Sequence, residues 1–123
     1  MQILETTIDQ PEYRKLEFRG KVILLDGEGY LVDDTDWSEA LAAHMASLEG
    51  IALTEDHWQV IRFIRDHYLQ FKGAPMPKII VKRLNKKRGT EHFTIKGLFA
   101  LFPQSPLRRA CRYAGIPQPA ECT

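Results

Sequence analysis

Hydrophobic spacing changes along this chain, from short apolar runs near the start to helical periodicity through the rest. The first fifteen residues show little periodicity and include Pro11, which predicts a loosely held arm. Leu16-Glu17-Phe18, the run Lys21-Val22-Ile23-Leu24-Leu25 and then Tyr30-Leu31-Val32 read as strands. Asp26-Gly27 lies between two of these apolar runs, and such a pair is a strong short-range hairpin signal. A sheet of two or three strands is expected here; it cannot stand alone and must lean on helices.

From Asp36 onward the period becomes helical. Trp37, Ala40, Leu41, His44, Met45 and Leu48 fall on one helix face,. Glu49-Gly50 is a stop, with Gly50 suited to the left-handed position after a helix. Thr54 can cap a second helix, whose inner side carries Trp58, Ile61, Ile64, Arg65 and Tyr68, widened by Phe63 and Phe71,. Gly73 and Pro75-Met76-Pro77 interrupt it. Pro77 then suits the first turn of a third helix to Lys87, with Ile80, Val81 and Leu84 inward and Gly89 as its end. Ile95 to Phe102 predicts a short helix stopped by Pro103, and Ser105-Pro106 opens a last helix that Gly115 closes. The prolines at 117 and 119 leave the final stretch no helical option, so an extended tail is expected. The fold class is α+β, mostly α: a small helical bundle (16–115) with an N-terminal β-hairpin. Flanking it are an arm (1–15) and a mobile C-terminal arm (116–123).

Length and composition fit that picture. The 123 residues can hold one core without staples,. Lys plus Arg is 17 and Asp plus Glu is 16, a net charge of +1 that gives no global pull toward nucleic acid or lipid,. With no long apolar run and an acidic start, neither a membrane span nor a signal peptide is expected, which places the chain in the cytoplasm. The histidines, His44, His57, His67 and His92, show no metal spacing with either cysteine,. His44 reads as a hydrogen-bonded core or boundary residue, and His57 and His67 as helix-surface or packing residues. No glycine-rich phosphate loop appears, so no metal and no organic cofactor is expected.

Charge does cluster locally. Lys78, Lys82, Arg83, Lys86, Lys87 and Arg88 fall on or beside the third helix, and Arg108, Arg109 and Arg112 on the last. Such faces are solvated surface, a dock for an acidic protein, or a contact for a phosphate backbone. Few aromatics interleave with them, which argues against a single-strand stacking platform.

The two thiols carry the sharpest signal. Cys122 lies on the tail, and Cys111 shares a helix register with Leu107, Ala110 and Ala114. From Gly115 to Cys122 the polyproline rise of about 3.1 Å per residue gives a reach of roughly 22 Å. The tail can carry Cys122 outward into a partner's pocket or back toward Cys111, where a disulfide needs Cα atoms about 4.4–6.8 Å apart. A reducing compartment disfavours a static staple, which leaves redox or sulfur chemistry beside an accidental terminal thiol. Geometry gives Cys122 the travelling role and Cys111 the resolving one.

These residues also match a family. From about Leu16 to Thr123 the chain resembles the DsrC/TusE family of sulfur-relay proteins. The resemblance rests on Glu28-Gly29-Tyr30-Leu31, Trp37, Leu53-Thr54-Glu55-Asp56-His57-Trp58, Arg62-Phe63-Ile64-Arg65-Asp66, Tyr68, Ala74-Pro75, Leu101-Phe102-Pro103 and Pro106. Most specific is Ala110-Cys111-Arg112-Tyr113-Ala114-Gly115-Ile116-Pro117-Gln118-Pro119, followed by Cys122. It implies a cytoplasmic sulfur carrier that holds sulfur on Cys122 as a persulfide, or in a trisulfide with Cys111, and acts without a cofactor. In that sense the chain is expected to be a sulfurtransferase. In the family, DsrC-like members keep both cysteines and work with dissimilatory sulfite reductase. TusE-like members keep only the last and pass sulfur toward tRNA thiolation. Cys111 places this chain nearer the DsrC-like branch. Implied partners are sulfur-donor and sulfur-acceptor proteins, either sulfite reductase or DsrE/TusD-like sulfurtransferases. Arg108, Arg109, Arg112, Lys82 and Lys86 would be the docking residues. A redox-responsive regulator binding DNA, or a tRNA contact, is the alternative that the basic helices leave open.

Overall fold

The computed structural model describes residues 13–117. An antiparallel pair comes first: β1 (Arg14–Phe18) and β2 (Lys21–Leu25), with Leu16 opposite Ile23. The hairpin turns at Arg19-Gly20, not at Asp26-Gly27. Both turn residues have positive φ, 53° and 79°, as a two-residue turn that follows the strand twist requires,. Asp26 instead closes a tight bend. Its carboxylate accepts the Glu28 and Tyr30 amides at 2.9 and 3.0 Å, and the chain returns to make one bridge, Leu31 with Leu25. Among the described residues the sheet therefore stays two-stranded.

Among the described residues five helices follow: α1 (Glu39–Leu48), α2 (Glu55–Phe71), α3 (Pro77–Arg88), α4 (Ile95–Leu101) and α5 (Pro106–Ala114). The first begins later than periodicity predicts. Asp33 accepts the Thr35 amide to set a short 3-10 turn, Asp34–Asp36, and Ser38 Oγ then caps α1 by accepting the Leu41 amide at 3.0 Å. Local side-chain hydrogen bonds thus outcompete a longer helix and leave Trp37 outside it. Leu48 and Phe71, expected to face inward, are exposed. Lys72, rather than Gly73, takes the left-handed position that ends α2, at φ 62°. Thr54, Pro77, Gly89, Pro106 and Gly115 bound their helices as expected.

The core draws Leu41, Ala42, Met45 and Ala46 from α1, Val60, Ile61 and Ile64 from α2, and Ile80 and Leu84 from α3. Each large apolar side chain buried there contributes roughly 1.5–3 kcal/mol. The short α5 is the hub, packed against α1, α2 and α4. Six of its nine residues are buried, so it cannot be an adaptable surface helix. Ile116, just past it, is also buried, and the packed unit runs from Arg14 through Ile116.

One buried histidine ties two helices together. His57 accepts the Thr54 amide on Nδ1 at 3.0 Å, and its Nε2 lies 2.8 Å from the Leu101 carbonyl. Because Nδ1 is the acceptor, the proton sits on Nε2 and is donated across to α4. His57 thus stands where a capping box normally has Glu or Gln, and it is buried rather than on the surface,. His44 is a boundary residue, its ring 5.2 Å from that of Phe18.

Candidate functional site

The sequence features of interest converge on the two ends of α5. At its C-terminal end, helix geometry leaves the last carbonyls without partners inside the helix. Trp37 Nε1–H donates to the Tyr113 carbonyl at 2.7 Å, and Arg65 Nη1 donates to the Ala114 carbonyl at 2.8 Å. Arg65 Nη2 also reaches the Asp34 carbonyl at 3.2 Å, and its guanidinium lies 4.3 Å from the centre of the Trp37 ring. Partial burial lowers the Arg65 pKa from its ordinary value. A planar, weakly hydrated guanidinium is the cation best suited to such a place. Gly115 then turns the chain at φ 71° directly beneath Trp37. A Cβ there would stand 2.3 Å from the ring's Cδ1. The Ile116 amide returns to the Cys111 carbonyl at 3.3 Å, and Pro117 is exposed. The point from which the final residues leave is therefore braced from three directions.

Cys111 is fully buried, and desolvation pushes its thiol up to about 12. Neither Arg108 nor Arg112 offsets that burial. Cys122 lies outside the described residues, so the expected pairing of the two thiols and the travelling role of Cys122 rest on sequence.

The arginines of α5 line the other part of the site. Arg112 holds the Glu49 carboxylate by two bonds of 3.1 and 3.3 Å, and Arg109 Nη1 lies 3.8 Å from the same group. The Tyr113 hydroxyl donates to Glu49 as well, and its own pKa is raised by burial and by that contact. Arg108 lies 3.9 Å from Glu28, and Arg109 donates to Gln104 at 3.2 Å. Gly29 admits the stem of Arg112, since a Cβ at that position would sit 3.3 Å from its Cδ. Glu28, Glu49, Gln104, Arg108, Arg109 and Arg112 line a pocket of about 260 Å³. Its charge is largely internal: Glu49 anchors the end of α1 to α5 through Arg109 and Arg112.

The structure thus brings Arg108, Arg109 and Arg112 together and leaves Lys82 and Lys86 on a different face, along α3. Sequence reasoning missed the roles of Arg65, Trp37 and Glu49. An arginine on an otherwise apolar helix face was the available signal for Arg65. Nothing local marks Glu49, which partners residues more than sixty positions away. Among the described residues no three His, Cys, Asp or Glu side chains converge to hold a metal ion, and no helix is long and apolar enough to cross a membrane.

A protein-family model described as "DsrC like protein" matches residues 17–123. The chain belongs to the DsrC-like family. Among its relatives is the sulfurtransferase TusE of Pectobacterium atrosepticum, 47% identical over 107 residues, covering 87% of this chain and 98% of that one. TusE of Yersinia pestis is 46% identical with the same coverage. Solved structures place the fold in the same family. The NMR structure of DsrC from Allochromatium vinosum superposes with a TM-score of 0.80 at 39% identity, covering 90% of this chain and 99% of that one. The crystal structure of the oxidized gamma-subunit of dissimilatory sulfite reductase (DsrC) from Archaeoglobus fulgidus gives 0.77 at 35% identity, covering 89% and 100%. Mostly helical with a front hairpin, the architecture is that of this family. The match runs through the braced turn and includes both cysteine positions.

Proposed function

We propose that this protein is a sulfur carrier that accepts sulfane sulfur on Cys122 and hands it on by thiol exchange. The observation that carries the reading is the extent of the family match, which includes Cys111 and Cys122 and reaches relatives named sulfurtransferase. In the loading step the Cys122 thiolate attacks the outer sulfur of a donor persulfide. One S–S bond forms on Cys122 as the donor's S–S bond breaks, and the donor leaves as a thiolate. An acceptor thiolate unloads the carrier in the same way. If Cys111 attacks Sγ of Cys122 instead, a Cys111–Cys122 disulfide forms and hydrosulfide leaves, with no external oxidant needed.

The buried state of Cys111 supports a division of labour. Burial pushes its thiol up to about 12 and keeps it protonated at neutral pH, which supports Cys122 as the initiating nucleophile,. The brace of Trp37 and Arg65 supports the same reading from the other side, since it gives the final residues a fixed origin next to α5.

The presence of Cys111 favours the DsrC-like reading, in which the carrier serves dissimilatory sulfite reductase or sulfur oxidation. Identity of 45–47% to TusE proteins favours the second reading, relay toward tRNA thiolation. Intact-mass spectrometry under non-reducing conditions, after incubation with a sulfane-sulfur donor, tests the shared core. Wild type and Cys111→Ser should gain whole sulfur atoms, and Cys122→Ser should gain none. Loading that survives in Cys122→Ser refutes the carrier role. Complementation of strains lacking either pathway then separates the two branches.

A further inference from the structure

The two basic helices differ in what their charges already do. On α5 the arginines face Glu28 and Glu49. On α3, ion pairing among the described residues is confined to Arg88, 3.9 Å from Asp56. Lys78, Lys82 and Lys86, spaced by four residues, line one side of that helix at roughly one turn, about 6 Å, apart,. They rim a groove of about 580 Å³ that Val81 and Ile95 floor with aliphatic surface. The groove is built rather than incidental. Asn85, which also lines it, donates to the Phe93 carbonyl and accepts the Phe93 amide, both at 2.7 Å, holding Phe93 to α3.

We infer that this groove seats an acidic amphipathic helix of the protein that exchanges sulfur with this chain. The choice of partner rests on the carrier reading; the groove's chemistry does not. An aliphatic floor takes the apolar face of a helix, and a lysine rim spaced by helical turns takes carboxylates spaced by helical turns. A nucleic acid fits less well. The groove has no aromatic ring for a base to stack on, and Glu91 on its wall opposes a backbone with a charge at every nucleotide,. A helix can place an uncharged or basic residue opposite Glu91. Docking here uses residues other than those that line the pocket beside α5.

The test uses the full chain and a fluorescein-labelled, stapled helix of about 15 residues, leucines along one face and glutamates at i, i+4 spacing beside them. Fluorescence anisotropy should show binding that weakens with salt. Lys82→Glu with Lys86→Glu should lower affinity at least about tenfold, because like charges then face each other. Arg14→Glu with Lys15→Glu, the same charge change on β1, should alter it less than about twofold, as for exposed charges away from the contact. Equal effects of the two pairs overturn the proposal. So does binding of an RNA or DNA oligonucleotide that the α3 pair abolishes while the helix fails to bind. Sulfur loading of Cys122 from inorganic polysulfide, a donor with no helix to dock, stays at the wild-type level in the α3 pair. Failure of wild type to load refutes the carrier reading and leaves the binding result standing.

Discussion

Replacing Gly115 by alanine tests the brace at the end of α5 most directly. The left-handed backbone, φ 71°, costs a residue with a Cβ roughly 1–2 kcal/mol,. The added methyl would also stand 2.3, 2.7 and 2.9 Å from Cδ1, Cγ and Cβ of Trp37, distances at which the indole must move. It cannot move freely. Its Nε1–H holds the Tyr113 carbonyl, and Arg65 lies across its face. Losing that hydrogen bond costs about 1 kcal/mol. Losing the cation–π contact costs about another 1 kcal/mol. Gly115→Ala should therefore destabilise by about 3–4 kcal/mol, a large share of the 5–15 kcal/mol typical of a domain. Gly89→Ala is the control. It shares the left-handed helix end, φ 73°, yet a Cβ there meets nothing within 4 Å, so only the same backbone cost of about 1–2 kcal/mol applies,. Urea denaturation measures both, and a thermal scan should separate their midpoints by about 8 °C or more for a domain of this size. If the two variants fall within about 0.5 kcal/mol of each other, the smallest difference such titrations resolve, the indole is not pinned and the brace is wrong.

Other expectations follow from single groups. Asn85→Ala removes both bonds to Phe93 and leaves that residue's backbone polar groups without this partner, a cost of about 2–4 kcal/mol by urea denaturation,; a loss under 1 kcal/mol, at the low end for one such group, contradicts it. In Cys122→Ser, Cys111 should resist a disulfide thiol reagent at pH 8 in the folded protein and react fully once unfolded, since it is wholly buried. Its pKa, raised from 9.0 to about 12, means that between those values the unfolded chain releases a proton the folded one keeps. Stability gained from this group is thus unaffected below pH 9 and falls as pH rises, by about 1.4 kcal/mol per unit. Cys111→Ala should flatten that slope, and equal slopes in the two proteins would show that Cys111 does not titrate in this way.

Much of the fold was legible because local chemistry and packing agree there. Thr54, Pro77, Ser105-Pro106, Gly89 and Gly115 mark helix ends by their own backbone preferences, and each stands where the structure needs it. The misreadings occur where a neighbour overrides a pattern. Asp26-Gly27 carries the stronger hairpin signal, but the register of Leu16 against Ile23 sets the turn at Arg19-Gly20. Trp37 continues the apolar period of α1 by spacing alone, yet its indole belongs to α5, seventy-six residues away. The basic clusters were legible as composition only. Whether an arginine is free depends on the carboxylate opposite it, and Glu49 reaches α5 by folding, not by spacing.

Under the carrier reading, the contrast between the thiols sets an order of events. A thiol that is almost entirely protonated and enclosed cannot compete for a donor's sulfur, so loading precedes any use of Cys111,. Attack by Cys111 then requires the environment around the end of α5 to admit Cys122 and solvent. That environment is held by Trp37, Arg65 and the turn at Gly115. A variant that loosens the brace without unfolding the chain, such as Trp37→Phe, removes the Nε1–H bond while keeping an aromatic ring. It should leave loading on Cys122 intact and speed the loss of loaded sulfur as hydrosulfide with formation of the internal disulfide. Mass spectrometry over time reads both species, the loaded form heavier than the reduced chain by one sulfur atom and the bridged form lighter by two hydrogen atoms. If Trp37→Phe releases sulfur no faster than wild type while Cys111→Ser blocks bridging, the brace does not control the second thiol, and another contact must hold Cys111 back.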